Sequence, residues 1–470
     1  MNTKLYYCLA FIFLSLTWSS CKDNEISLPD QLVQFEASEQ GMNETDEELS
    51  IKLKLNREAT EDVSLVIDLT TSGITYGTEF TTSPQASESG IQLRIPKGKS
   101  ETEFIIKKAS DLLLDGDESV NFKIKSVTAP VIIGSTGNLL LKFGPIISIG
   151  TTLQLNGLIG NESGSSAGNA VFVDLSNNRQ TAVGRSSWDL GFSNGEEFRV
   201  IINNLTSATA RLTNKTDLNQ VTAADTLEAG NWSLGYTPES FNLIDDPLGD
   251  LSKTVIAGIS PSDGENQVYI LNPGTGGGLP VRPWWKLRIL RKGNDGYLLQ
   301  YARIQDQSFK TIEIKKGADH HFQYVQLSTE AKIVDFSPAS SQWDFRWSYA
   351  LYQTAFGTTN IPYAFFDLIA INQHSGVEAA EVMASKISYS NFTEADLAGI
   401  TFENDVYKIG SNWRVTSSST EPVGVRTDRY YLIKDTTGNI YKLRFLSFHS
   451  NDGGERGKPK FEYSLVKKNG

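Results

Sequence analysis

Few side chains in this 470-residue sequence could ligate a metal or attack a substrate. The four histidines are His320, His321, His374 and His449, and the methionines beyond the start are Met42 and Met383. Imidazole and thioether groups ligate soft or borderline metal centres. His374 follows the apolar run Tyr363–Ile369, and Met383 comes nine residues later, so the two could flank one pocket. His320 and His321 are consecutive, just before a strand. In extended chain they face opposite sides, so at most one points into any pocket. His449 sits in the turn Phe448-His449-Ser450-Asn451. Taken singly, each His reads as a surface or turn residue. Asp115, Asp117 and Glu118 form an acidic loop of the kind that suits calcium, which takes six to eight oxygens; the same residues also read as a solvated turn. Enzyme signals are poor. Only Cys8 and Cys21 are present, so a Cys–His pair is excluded, and four histidines leave a Ser–His–Asp triad little to draw on. Gly274-Thr275-Gly276-Gly277-Gly278 lacks the Lys-Ser/Thr of a phosphate loop and reads as a flexible connection. The expectation is binding, not catalysis, with no cofactor required by the chain itself.

The first twenty residues carry Lys4 as their only charge, followed by an apolar run from Leu5 to Trp18. That run is short for a permanent membrane span, and with small residues at Ser19-Ser20 it reads as a cleavable signal. Ser20-Cys21 resembles the lipobox of bacterial lipoproteins, which implies cleavage before Cys21 and acylation, palmitate included, on its thiol. Lys22-Asp23-Asn24-Glu25 resembles the export signal of Gram-negative surface lipoproteins. These likenesses imply an outer-membrane, lipid-anchored protein at the cell surface, with residues 21–30 as a tether. After cleavage no internal disulfide can form, so the core alone must stabilise the fold. The net charge of −12 and the absence of any basic, aromatic-interleaved stretch exclude a nucleic-acid partner.

The remainder reads as strand and turn. Leu49–Leu55, Gln92–Ile95 and Asn121–Lys125 alternate apolar and polar residues, the period of a half-buried strand, and Gly/Asn/Asp turns punctuate them. The best helical signal, a capped start at Asn391-Phe392-Thr393-Glu394 running to Gly399, holds little more than two turns. Residues 31–144 read as a β-sandwich. Tyr76-Gly77-Thr78-Glu79-Phe80, Pro96-Lys97-Gly98 and the acidic loop ending at Glu118 resemble, in order, the motifs of Calx-β domains, a likeness that makes calcium a candidate ligand and the domain a stalk.

Downstream the sequence repeats. Ser187-Trp188-Asp189-Leu190-Gly191-Phe192 is echoed 155 residues on by Gln342-Trp343-Asp344-Phe345-Arg346-Trp347. Trp285-Lys286-Leu287-Arg288 is echoed 156 residues on by Tyr441-Lys442-Leu443-Arg444. A strand-like segment precedes each Trp-Asp: Val171–Leu175 and Tyr324–Leu327. The repeat predicts two related all-β lobes, 146–310 and 311–470. In each, Trp-Asp buries the indole and uses the carboxylate to hold a turn or an N–H, and Lys-Leu-Arg places Leu inward and the cations outward. The stretch from Trp188-Asp189-Leu190-Gly191-Phe192 onward and the ending Tyr441-Lys442-Leu443-Arg444-Phe445 through Phe461-Glu462-Tyr463 resemble the HmuY family of surface lipoproteins. The resemblance implies an all-β fold with very little helix, haem as a candidate cofactor and an outer-membrane haem transporter as a candidate partner. It makes His374, Met383, His320, His321 and His449 candidate axial ligands. A rival reading takes Trp284, Trp285, Trp343, Trp347, Tyr349 and Tyr352 as a platform for sugar rings, which makes the protein a structural or adhesive module contacting glycan or protein.

Overall fold

The computed structural model describes residues 30–469 except 44–45, 110–117, 145, 229–231, 233, 236 and 418–419. The leader, Cys21, Asp115 and Asp117 lie outside the described residues. Strands and single 3-10 turns supply nearly all the regular structure, and the α-helix among the described residues is Ala223–Glu228. The capped start near Asn391 forms a 3-10 helix, Glu394–Gly399, where an α-helix is predicted. Its first turn is closed by the Thr393 N–H donating to Asp396 Oδ2 at 2.8 Å. No helix among the described residues is long and apolar enough to cross a membrane.

Period-two alternation builds the N-terminal unit. Along Glu48–Leu55 the side chains of Leu49, Ile51, Leu53 and Leu55 are buried, while Ser50, Lys52 and Lys54 face outward. Two five-stranded sheets enclose one core, in which Phe104 meets Phe122 with ring centroids 5.0 Å apart. Glu118 is buried at the start of Ser119–Val127. The sandwich docks on the turn 177–180: Asn178 Nδ2 donates to Glu39 O at 2.9 Å, Gln180 Nε2 donates to Glu36 Oε1 at 2.9 Å, and Arg179 pairs with Asp46.

Four sheets follow. Leu190–Ser193 lies between Val200–Ile202 and Phe322–Gln326. This sheet packs on a five-stranded meander, Thr209–Leu212 to Lys310–Lys315, around Leu190, Phe192, Leu287 and Val325. In the related lobe, Phe345–Phe356 lies between Thr359–Ile371 and Asn169–Asp174. That sheet packs on strands from 152–154 and 378–467 around Phe345, Val173, Leu443 and Phe461.

The strands are therefore exchanged. The segment preceding the first Trp-Asp hydrogen-bonds in the second lobe, and the segment preceding the second Trp-Asp hydrogen-bonds in the first. Strand pairing thus crosses the 310/311 boundary expected from the repeat, and residues 190–334 are inserted between 152–184 and 345–467. A repeat shows which segments are alike; chain closure selects which copy each one pairs with. One prediction is direct. Residues 311–470 alone lack the 169–174 strand and bare the edge of Phe345–Phe356, so neither 146–310 nor 311–470 is expected to give a cooperative denaturant transition alone. Mixing the two halves should restore it, as near-UV circular dichroism would show.

The repeated motifs do equivalent jobs. Asp189 Oδ2 accepts the Leu327 N–H at 2.7 Å, and Asp344 Oδ2 accepts the Leu175 N–H at 2.7 Å. Each carboxylate therefore ties down the strand received from the other repeat. Asn203 and Asn372 complete the motif, donating to Trp188 O at 2.8 Å and Trp343 O at 2.9 Å. Arg444 is exposed as expected, but the two lysines, though they leave the core face, are covered. Lys286 is 2% exposed, and its Nζ donates to Val221 O and Asp306 O, both at 2.8 Å. Lys442 Nζ donates to Tyr389 O at 2.8 Å and Phe392 O at 2.9 Å. An irregular segment covers the outer face of each five-stranded sheet, and the ammonium satisfies carbonyls there that no strand can.

Candidate functional site

The two smaller sheets, one from each lobe, face each other across a pocket enclosing about 150 Å³. Exchange of the strands puts Phe172 and Tyr324 on facing walls, with Trp188, Trp343 and Tyr407 completing an aromatic lining. Trp188 meets Tyr324 at 4.9 Å, and Phe172 meets Trp343 at 5.1 Å, both edge to face.

Two of the predicted ligands meet at this pocket. His321 enters at the start of Phe322–Gln326, and His374 stands in the 3-10 turn after Thr359–Ile371. Their ring centroids are 5.5 Å apart. His321 Nε2 is 2.7 Å from Ser375 Oγ, which in turn donates to Ser340 O at 2.6 Å, so a relay fixes the ring. Burial, then the charges of His374 and His320, lowers the His321 pKa to about 4. His374 is exposed, and the shielding of part of it from water lowers its pKa too. Both rings are thus held neutral, the form that ligates a metal.

The other candidates lie elsewhere. His320 is not part of the lining, as strand alternation predicts. Met383 ends the strand Glu378–Met383, paired with Arg429, and lies outside the pocket that holds His374. His449 caps the turn Ser450–Asp452 with its Nδ1 accepting the Asn451 N–H at 3.2 Å. No group of three or more His, Cys, Asp or Glu among the described residues could hold a metal ion, Glu118 included. Of the six aromatics read as a platform, Tyr352 packs on Tyr407 with ring centroids 4.4 Å apart, and the other five are drawn apart. Trp285, Trp347 and Tyr349 are buried in cores, Trp284 packs on Trp232 with centroids 5.0 Å apart, and Trp343 turns into the pocket. The glycine-rich segment is pinned: Arg185 donates to Gly276 O at 2.9 Å and Gly277 O at 3.0 Å. A Cβ on Gly277, whose φ is 66°, would stand 2.5 Å from Arg185 Nη2.

The lining also carries three charged residues that are not among the candidate ligands, Arg346, Asp245 and Asp246. Arg346 stands on Phe345–Phe356 with Tyr324 and Tyr407 about it. Asp245 accepts the N–H groups of Ile202 at 2.7 Å and Val255 at 2.9 Å, yet burial outweighs those bonds and raises its pKa to about 7. An Asp whose pKa is raised on folding contributes fully below about pH 4 and loses that contribution as pH climbs to about 7. At about 1.4 kcal/mol per pH unit, discounted for partial exposure, the loss is roughly 2 kcal/mol. Asp245→Asn should flatten this part of the pH dependence of the urea midpoint.

No curated protein sequence matches the chain. Among solved structures, the apo-form Calx CBD1 domain aligns at 16% identity over 25% of this chain and 97% of that one, with a TM-score of 0.21. A two-domain protein of unknown function from Bacteroides fragilis NCTC 9343 aligns at 10% identity over 69% of this chain and 94% of that one, with a TM-score of 0.19. At such scores these likenesses assign no function. The family model described as HmuY protein matches residues 166–463 in a single run that takes in both lobes, the exchanged strands and the pocket. With well over half of its length matched, the chain belongs to the HmuY family.

Proposed function

We propose that this is a non-catalytic capture protein, anchored through lipid on Cys21 at the outer membrane, whose inter-lobe pocket takes haem or a related flat tetrapyrrole for transfer to an outer-membrane transporter. One observation carries the reading: two neutral imidazoles, 5.5 Å apart, stand over an aromatic slot inside the family match. Haem needs an apolar slot, one or two axial ligands and a partner for its propionates. The donor set here fits: His321 and His374 for the iron, Phe172, Trp188, Tyr324 and Trp343 for the ring face, and a cation further in. When bound, the iron supplies the coordination positions that imidazoles fill; the chain's own work is to hold those rings neutral, oriented and partly dry. Small-molecule pockets usually measure roughly 300–1,000 Å³, so at about 150 Å³ this slot would take only part of a macrocycle. Titrating the purified protein with ferric and ferrous haem tests the reading. A shifted, saturable Soret band supports it, and no shift with either form defeats it.

A further inference from the structure

Among the described residues the Arg346 side chain has no partner. Other shielded guanidinium groups find acceptors: Arg185 reaches four carbonyl oxygens, Arg282 pairs with Asp189 at 2.7 Å, and Arg414 reaches Phe366 O and Ser411 O. Among the described residues no carboxylate pairs with Arg346 and no oxygen accepts a hydrogen bond from its side chain, and its Nε is shut off from solvent without a partner. The groups that act on its charge are the phenols of Tyr407 and Tyr324, and burial weakens its hold on its proton. A desolvated cation without a counter-charge is costly to keep. The repeat shows that the fold does not require it, because Gly191 occupies the matching position of the related lobe.

We infer that Arg346 is the anchor for a carboxylate on the captured ligand, so that the pocket selects flat aromatic acids over their neutral analogues. The inference rests on the proposed pocket but not on iron ligation. Tyr324, which shares the lining with Arg346, lies three residues beyond His321, roughly 10 Å along a strand. A ligand whose ring plane meets His321 and His374 at the mouth can thus send an acidic edge inward to the guanidinium. A planar fork of N–H donors suits a carboxylate, which it binds through two parallel hydrogen bonds.

The test uses metal-free protoporphyrin IX and its dimethyl ester, read by quenching of the tryptophans, of which Trp188 and Trp343 line the pocket. The intact protein should bind the free acid at least about tenfold more tightly than the ester, the difference of one charge-assisted contact. Arg346→Met should weaken the acid by that factor, leave the ester unchanged and so erase the preference; Arg346→Lys should keep part of it. Circular dichroism identifies a variant that fails to fold, and the Lys variant then decides. Equal binding of acid and ester by the intact protein, or equal weakening of both in Arg346→Met, overturns the inference while leaving haem capture standing. If neither porphyrin binds, the haem titration alone decides haem capture, and 2-naphthoate against 2-acetylnaphthalene decides for Arg346. A preference for naphthoate that vanishes in Arg346→Met upholds the anchor, and its absence overturns it.

Discussion

Asp189→Ala is expected to lower unfolding stability by about 3–5 kcal/mol, the usual cost of removing one partner from a buried ion pair. Asp189 is 2% exposed; its Oδ1 meets Arg282 Nη1 at 2.7 Å and its Oδ2 accepts the Leu327 N–H at 2.7 Å. Alanine leaves the guanidinium without its counter-charge, with Pro273 O as its remaining acceptor, and orphans the N–H that closes the exchanged strand. Burial raises the Asp189 pKa despite the arginine. The matching carboxyl makes the control. Burial, then Asp174 and Asp435, pushes Asp344 well above the carboxylate range, and among the described residues no cation pairs with it as Arg282 does with Asp189. Asp344→Asn keeps an acceptor for the Leu175 N–H and removes no charge pair, so it should cost less than about 1 kcal/mol at neutral pH. Urea midpoints compare the two; a loss in Asp189→Ala no larger than that in Asp344→Asn would reject the Asp189–Arg282 pair as a source of stability.

The second large effect concerns the pocket. His321→Ala and His374→Ala should each weaken haem binding about 100-fold, or about 2.7 kcal/mol, and the double variant should abolish the Soret shift. His320→Ala, His449→Ala and Met383→Ala should leave it unchanged, because those side chains lie outside the pocket. Titration of each variant by absorbance checks this. A spectrum lost in Met383→Ala and kept in His374→Ala would reject the assignment.

Much of the fold was legible in the sequence. Alternation along Leu49–Leu55 fixes a buried face because the strand period is two, whatever packs above it. The paired Trp-Asp motifs announced two related lobes, since a repeat at constant offset is a local property of the chain. The histidines were legible as a short candidate list because so few residues can ligate. The orientation of Lys286 was not legible, for alternation tells that a side chain leaves the core face and not whether a loop covers the other. Nor was the pairing of His321 with His374. They lie 53 residues apart in sequence and meet because the strand following His321 crosses into the other lobe. Arg346 was visible as the charged departure from Gly191 in the repeat, but its isolation is a property of the surrounding volume. The sequence by itself determined strands, repeats and the scarcity of ligating groups, because these follow from residue type and spacing. The tertiary structure alone decided which strands were exchanged, and with them which histidines share a pocket and which cation is left unpaired, because hydrogen-bond partners across a sheet are chosen by chain closure.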